Sequence, residues 1–121
     1  MQLNVGTNIS FRVFDEYYNM ALLSCRDEMQ RYWFSLTRSV GSKRIEVMVL
    51  DQINHHTAGH DISVHLERAR LVVELSSELA RNLDGNTTYE VEFDLNDIEV
   101  DQMKLSLEKI FEGTAALHSA F

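Results

Sequence analysis

The stretch from Thr87 to Gly113 constrains this chain most, because a strand pattern in it runs directly into the pattern of a long helix. Apolar side chains first alternate with acidic ones, which is the period of a half-buried strand. The apolar positions are Tyr89, Val91, Phe93 and Leu95, and the acidic ones are Glu90, Glu92 and Asp94. Asn96 then stands at a helix N-cap, with Glu99 three residues later to complete a capping box.

The helix predicted from this cap has one apolar stripe. Its residues, spaced by three and four, are Val100, Met103, Leu107, Ile110 and Phe111, and Gly113 marks the end. Seven strand residues and sixteen helical residues each span about 24 Å. We therefore expect the helix to lie back along the strand that precedes it and to bury its stripe on the Tyr89 face.

The rest of the chain reads mainly as strands. Alternating or apolar segments predict strands at 9–14, 19–25, 32–37, 43–51, 62–67 and 71–75. For 19–25 a helical turn is the alternative, and a continuous helix over 61–83 competes with the last two strands. Arg26 to Gln30 is a charged connection, Asn54 to His60 is a polar loop, and Ser76 caps a short helix that ends near Leu83.

These elements predict an α+β fold, with residues 1–121 in a single two-layer domain. The sheet is expected to be a largely antiparallel meander, with the short helix and the long C-terminal helix packed on one face. The opposite face would then be polar and mainly acidic. Its predicted members are Ser63, His65, Glu67, Arg70, Glu74, Glu90, Glu92 and Asp94.

The charge of the chain lies in its second half. Residues 1–60 carry six basic and six acidic side chains, whereas residues 61–121 carry five basic and thirteen acidic ones, which accounts for the net charge of −8. Such a field repels nucleic acid and anionic membranes and attracts basic protein surfaces, although solubility alone is the plainer explanation. A lone Cys25, an N-terminus without a basic signal-like segment and no membrane-length apolar run favour a soluble, cytoplasmic protein.

Residues suited to catalysis or to metal binding are sparse. His55, His56 and His60 share one loop beside Asp61, but no second ligand cluster accompanies them, so we expect no bound metal. Cys25 lies in an apolar run, where a lone cysteine is typically a core residue. The sequence has no G-x-S-x-G and no phosphate-binding glycine loop. We therefore predict that the protein is not an enzyme and has no cofactor.

Partner binding is the better-supported class of function. Trp33 falls on the polar side of its strand, as an interface anchor would, and packing against Phe14 or the C-terminal tail is the alternative. Ile98 and Leu105 lie on the polar face of the long helix, where we expect the tail, residues 115–121, to cover them. The predicted partner-binding residues are Glu90, Glu92, Asp94, Asp97, Asp101 and Trp33.

From Ile45 onward the chain resembles the immunity protein 10 family of bacterial polymorphic-toxin systems. The matching features are the strand ending in Leu50-Asp51-Gln52, a loop with Gly59, the hairpin ISVHLERARLVVEL, a short helix to Leu83, the strand YEVEFDL and the helix through IFEG. This resemblance implies a small cytoplasmic protein that binds and blocks a cognate toxin. The acidic half suits a toxin with a basic surface, and a homodimer is a further possibility.

Two other functions stay open from the sequence. A small, acidic secretion chaperone that binds an effector protein is the first alternative, because such chaperones are also α+β and usually dimeric. A small enzyme of unknown activity is the second. A neighbouring gene for a toxin domain favours the immunity protein, and a neighbouring effector gene favours the chaperone.

Overall fold

A computed structural model describes residues 1–120, which form ten strands and two helices. The first six strands are β1 (Gln2–Gly6), β2 (Ile9–Asp15), β3 (Met20–Asp27), β4 (Tyr32–Ser39), β5 (Ile45–Val49) and β6 (Ile53–Thr57). The remaining elements are β7 (Ile62–Leu66), β8 (Arg70–Leu75), α1 (Ser77–Arg81), β9 (Thr88–Phe93), α2 (Asp97–Ile110) and β10 (Leu117–Ser119). The predicted α+β class is confirmed in this coarse sense, with strands dominating.

The strands form two five-stranded sheets. β2 to β6 pair in sequence order as an antiparallel meander, here called the meander sheet. The other sheet, here called the mixed sheet, has the order β1-β9-β8-β7-β10. Its centre is antiparallel, whereas β1 pairs parallel to β9 and β10 pairs parallel to β7.

The prediction of one meander sheet was therefore wrong, and the reason is the area to be covered. Each strand has one apolar face, and neighbouring strands lie about 4.8 Å apart. A helix about 10 Å wide covers roughly two of them, so α2 cannot cover the apolar faces of ten strands. Packing two sheets face to face solves this, and Phe34 of β4 meets Tyr89 of β9 with ring centroids 4.7 Å apart.

Helix α2 has the predicted start and the predicted buried stripe, but it packs on a different sheet from the one predicted. Asn96 and Glu99 form both bonds of a capping box, and all five stripe residues are buried. The helix lies mainly against β2 and β3 of the meander sheet, not on the Tyr89 face of β9. Arg38 holds its C-terminal end by donating hydrogen bonds to the carbonyl oxygens of Ile110, at 3.1 Å, and Glu112.

Some of the remaining elements were predicted from the sequence and others were not. The hairpin β7–β8 and the Ser76-capped helix α1 match the prediction, so the continuous helix over 61–83 is excluded. The predicted loop from Asn54 to His60 instead begins inside edge strand β6. Strands β1 and β10 were not predicted; both pair with strands distant in sequence, and β10 has only three residues.

Candidate protein-binding surface

The outer face of the mixed sheet carries a row of acidic side chains, here called the acidic face. Register places Glu90 between Gln2 of β1 and Val72 of β8, and Glu92 between Asn4 and Arg70. The face also carries Ser63, His65, Glu67, Glu74 and His118. Its charged members are thus four glutamates and one arginine, as the alternation along β7, β8 and β9 predicts.

Arg70 organises part of this charge. Its Nε donates to Glu67 Oε2 at 2.6 Å, and its Nη1 lies 3.9 Å from Glu90 Oε2. The hydrogen bond from Arg70 lowers the pKa of Glu67. Glu90 also accepts a hydrogen bond of 3.4 Å from Gln2 Nε2. One arginine among four glutamates leaves the face strongly negative at neutral pH.

The acidic residues continue from β9 into the first turn of α2. Asp94 is exposed just beyond the strand, and Asp97 and Asp101 are exposed one turn apart on the helix. Asp97 Oδ1 accepts a hydrogen bond of 2.8 Å from Arg68 Nε and forms an ion pair with Arg68 Nη2, also at 2.8 Å. Arg68 belongs to the β7–β8 turn, so this ion pair ties the start of α2 to the mixed sheet.

A groove of about 620 Å³ borders the acidic face beside β1. Its charged lining consists of acids alone: Asp27, Glu28, Glu90 and Glu92. Met29, 96% exposed, stands at its side in the β3–β4 turn. The groove therefore extends the negative surface and places one apolar side chain next to it.

Asp27 lies in the lining of this groove and holds β1 in place. Its buried carboxylate accepts hydrogen bonds from the backbone N–H of Asn4 (2.9 Å) and Gln30 (3.1 Å) and from Gln30 Nε2 (2.8 Å). Gln30 Nε2 also donates to the carbonyl of Gln2 at 2.6 Å. Burial alone would raise the pKa of Asp27, but these hydrogen bonds hold it below its ordinary value. The side chains of Asp27 and Gln30 thus form hydrogen bonds with the exposed edge of β1, as a neighbouring strand would.

Trp33 lies on the other sheet, away from the five predicted acidic residues. It is half-buried on the outer face of the meander sheet, directly opposite Arg26 of β3. The Arg26 guanidinium carbon lies 4.7 Å from the centroid of the Trp33 ring, a cation–π arrangement. Within residues 1–120, the recorded ring contact of Trp33 is with Arg26, and tail residues 117–119 pair with β7 on the other sheet. The structure does not bring Trp33 together with the acids.

The prediction that the C-terminal tail covers Ile98 and Leu105 was also wrong. These side chains are 70% and 56% exposed. The tail leaves α2 and pairs with β7 as strand β10, so it lies on the mixed sheet instead. Phe121, the last residue of the expected cover, lies outside the described residues.

The three histidines of the predicted loop and Cys25 do not gather at one site. His55 and His56 lie on β6, where His56 Nε2 is 3.2 Å from Glu46, and His60 Nε2 is 3.4 Å from its neighbour Asp61. Within residues 1–120, no three His, Cys, Asp or Glu side chains group closely enough to hold a metal ion. Cys25 is fully buried, and this burial raises the pKa of its thiol to about 12.

A partly buried polar cluster where the sheets meet was not predicted from the sequence. Tyr89 donates a hydrogen bond to Asp84 at 2.7 Å, Tyr32 donates to the other oxygen of the same carboxylate, and the two hydroxyl oxygens are 3.0 Å apart. Burial and then the hydrogen bond to Asp84 raise the pKa of Tyr32 to about 12. Burial would also raise the pKa of Asp84, but the tyrosine hydrogen bonds keep it lowered. Asp84 and Tyr89 are close in sequence, but Tyr32 lies 52 residues before Asp84, so no local pattern joins it to them.

The strand β1 was also not predicted, although its residues alternate in the way that is typical of a strand. Leu3 and Val5 are buried and alternate with Gln2 and Asn4, which is the period of a strand ending at Gly6. That strand adds two amides to the acidic face and forms one wall of the groove.

None of the helices in residues 1–120 combines the length and the apolar character needed to cross a membrane. Comparisons of the chain with protein-family models, with curated proteins and with solved structures give no match. The resemblance to immunity proteins therefore depends on the residue pattern from Ile45 to Gly113, and the acidic face supplies the structural argument for function.

Proposed function

We propose that this protein binds and neutralises a bacterial toxin, as an immunity protein does, and that it presents the acidic face to a basic surface of that toxin. The observation that carries this proposal is the outer face of the mixed sheet, where Glu67, Glu74, Glu90 and Glu92 surround one arginine. Fixed charges of one sign on a sheet raise the association rate with a partner of opposite sign and suppress binding to partners of like sign.

The acidic face alone is smaller than the surface that a stable complex buries. Five strands spaced by about 4.8 Å and five residues long cover roughly 24 by 17 Å, which is about 400 Å². A standard interface buries about 800 Å² on each partner. We therefore propose that the groove beside β1, with Met29, and the start of α2, with Asp97 and Asp101, complete the interface.

The rigidity of the scaffold supports this role. We propose that the domain acts as a two-layer unit in the cytoplasm, with the long C-terminal helix α2 fixing one face of the meander sheet and the Arg68–Asp97 pair fixing its first turn. A surface built on strands and a capped helix loses little conformational entropy on binding, so the charges are already in place when the toxin arrives.

Co-expression tests the proposal directly. A toxin-domain protein encoded next to this chain should co-purify with it, and this chain should restore growth to cells that express the toxin. Reversal of Glu90 and Glu92 to Lys should weaken this protection, whereas Glu46→Lys on the meander sheet, the matched control, should not. Co-purification with a secretion effector without any effect on toxicity would identify the chaperone function instead.

A further inference from the structure

A second surface lies at one end of the meander sheet. Five of the large hydrophobic side chains exposed in residues 1–120 gather in the β2–β3 and β4–β5 turns and the strand end beside them: Val13, Phe14, Tyr17, Tyr18 and Val40. The backbone N–H of Val40 donates to the carbonyl of Asn19 at 3.0 Å, which holds the two turns together. Exposed apolar side chains gathered in this way mark interaction sites more often than isolated ones do.

A β-bulge explains why two of these side chains face solvent. The β2–β3 register shifts by one residue between Arg12 and Asp15, so β2 carries one extra residue there. Because β2 is an edge strand, no further strand covers the bulge. Val13 and Phe14 are 46% and 49% exposed as a result. Bulges are a common means of redirecting side chains at functional edges.

Beside the bulge lies a groove of about 350 Å³, here called the apolar groove. Its floor includes Val13, Phe14, Ala21 and Val40, and its far wall is the C-terminal end of α2. Ala21 leaves room that a larger residue would fill, so an apolar side chain from outside can enter between the turn and the helix.

The charge of the apolar groove is opposite to that of the chain. Its charged lining is Arg38, Lys43, Lys109 and Glu112, three bases and one acid, in a chain of net charge −8. Lys109 Nζ lies 3.4 Å from Glu112, while the Arg38 guanidinium donates to backbone carbonyls rather than to a carboxylate. Two positive charges therefore stay uncompensated by acids in the lining. They attract carboxylates over about 10 Å at moderate salt.

We propose that the apolar groove binds an extended segment of a protein partner whose apolar side chains are flanked by carboxylates. The apolar floor takes the side chains, and Arg38 and Lys43 take the carboxylates. An anionic membrane fits less well, because it would contact the whole tip, where Asp15 and Glu16 precede the exposed Tyr17 and Tyr18, whereas a narrow segment in the groove contacts neither acid. This site lies on the meander sheet and does not depend on the toxin-binding proposal.

A pair of synthetic peptides tests the proposal on the full chain. At the apolar groove, ELEFDLE should bind with at least about ten-fold higher affinity than KLKFKLK, which has the same apolar residues and the opposite charge and is free to bind the acidic face instead. Amide shifts of the ¹⁵N-labelled protein should change around Val13, Val40 and Lys43. Lys43→Glu should weaken the acidic peptide about five-fold, and Val40→Asp about ten-fold.

The control variant is Ile98→Asp, which replaces an exposed apolar residue of α2 outside the apolar groove and should leave the affinity unchanged. Circular dichroism of each variant verifies folding, which surface changes should preserve. Equal shift changes in the apolar groove with the two peptides, changes with ELEFDLE confined to other surfaces, or no binding of ELEFDLE at millimolar concentration would each overturn the proposal. Binding to vesicles of phosphatidylcholine and phosphatidylserine, in place of the acidic peptide, would assign the groove to membranes instead.

Discussion

The outer faces of the two sheets follow the same alternation and yet differ in chemistry. The acidic face holds four glutamates and one arginine, whereas the outer face of the meander sheet has serines across three strands, at Ser10, Ser24 and Ser35, and two acids on separate strands, Asp15 and Glu46. The meander sheet is formed by residues 9–57, and the mixed sheet, apart from β1, by residues 62–119. The charge difference between the two halves of the sequence therefore becomes a difference between two layers.

Alternation decides which side chains face solvent, while their chemistry decides what the surface can attract. Both layers are held by one continuous core, so each outer face is presented on a rigid support.

The largest effect is expected at Leu107, which is fully buried and packs in the core that both layers share. Leu107→Ala should lower the free energy of unfolding by about 2–5 kcal/mol, because it removes buried methyl groups and leaves a cavity. Leu105→Ala, two residues away and 56% exposed, is the control and should change stability by less than about 0.5 kcal/mol. Urea denaturation measures both variants. Separate transitions for the two sheets, or equal effects of the variants, would contradict a shared core.

A smaller effect is expected at Asp27, which connects the end of β3 in the meander sheet to β1 in the mixed sheet. Asp27→Asn removes a charged hydrogen-bond acceptor and should cost about 1–3 kcal/mol at neutral pH. The folded-state pKa of Asp27 lies below its ordinary value of 3.8, so its contribution is present above pH 4 and is lost as the pH falls through the folded-state pKa.

The stability difference between the wild type and Asp27→Asn should therefore shrink in acid. Gln30→Ala is a companion variant, since it removes a donor to the same carboxylate and to the carbonyl of Gln2. If the difference stayed constant from pH 7 to pH 2, Asp27 would not be the link between β1 and the meander sheet.

A third effect is expected in alkali, at the seam where Tyr32 of the meander sheet meets Tyr89 of the mixed sheet. The pKa of Tyr32 is raised from 10.0 to about 12, so the stability from its neutral hydroxyl is present below pH 10 and is lost as the pH rises toward 12. Tyr32→Phe should cost about 0.5–1.5 kcal/mol at pH 7 and should lose less stability than the wild type above pH 10. Thermal unfolding from pH 7 to pH 11 compares the stability of Tyr32→Phe with that of the wild type, and Tyr17→Phe, a change at an exposed tyrosine, is the control. Identical alkaline profiles of Tyr32→Phe and the wild type would contradict the assignment.

Much of the local structure was predictable, because the signals are local. The capping box at Asn96 and Glu99, the buried stripe of α2 and the alternation in β7, β8 and β9 were all read correctly. The acidic members of the outer face followed from the same alternation.

What failed depends on contacts distant in sequence. The parallel pairs β1–β9 and β10–β7, the split into two sheets and the Tyr32–Asp84–Tyr89 cluster join residues that no short pattern connects. Trp33 shows the same limit, since the alternation placed it correctly on an outer face but could not say on which sheet or beside which partner.

The most direct test of the central claim compares association kinetics for the two outer faces. The claim is that the acidic face steers a basic toxin, so its rate of association should fall steeply from low to physiological salt. Reversal of Glu90 and Glu92 to Lys should slow association several-fold, flatten the salt dependence and leave stability nearly unchanged, because exposed charges contribute little to folding. Glu46→Lys on the meander sheet should leave the rate as in the wild type. An association rate that does not depend on salt and is unchanged by the double reversal would contradict the claim.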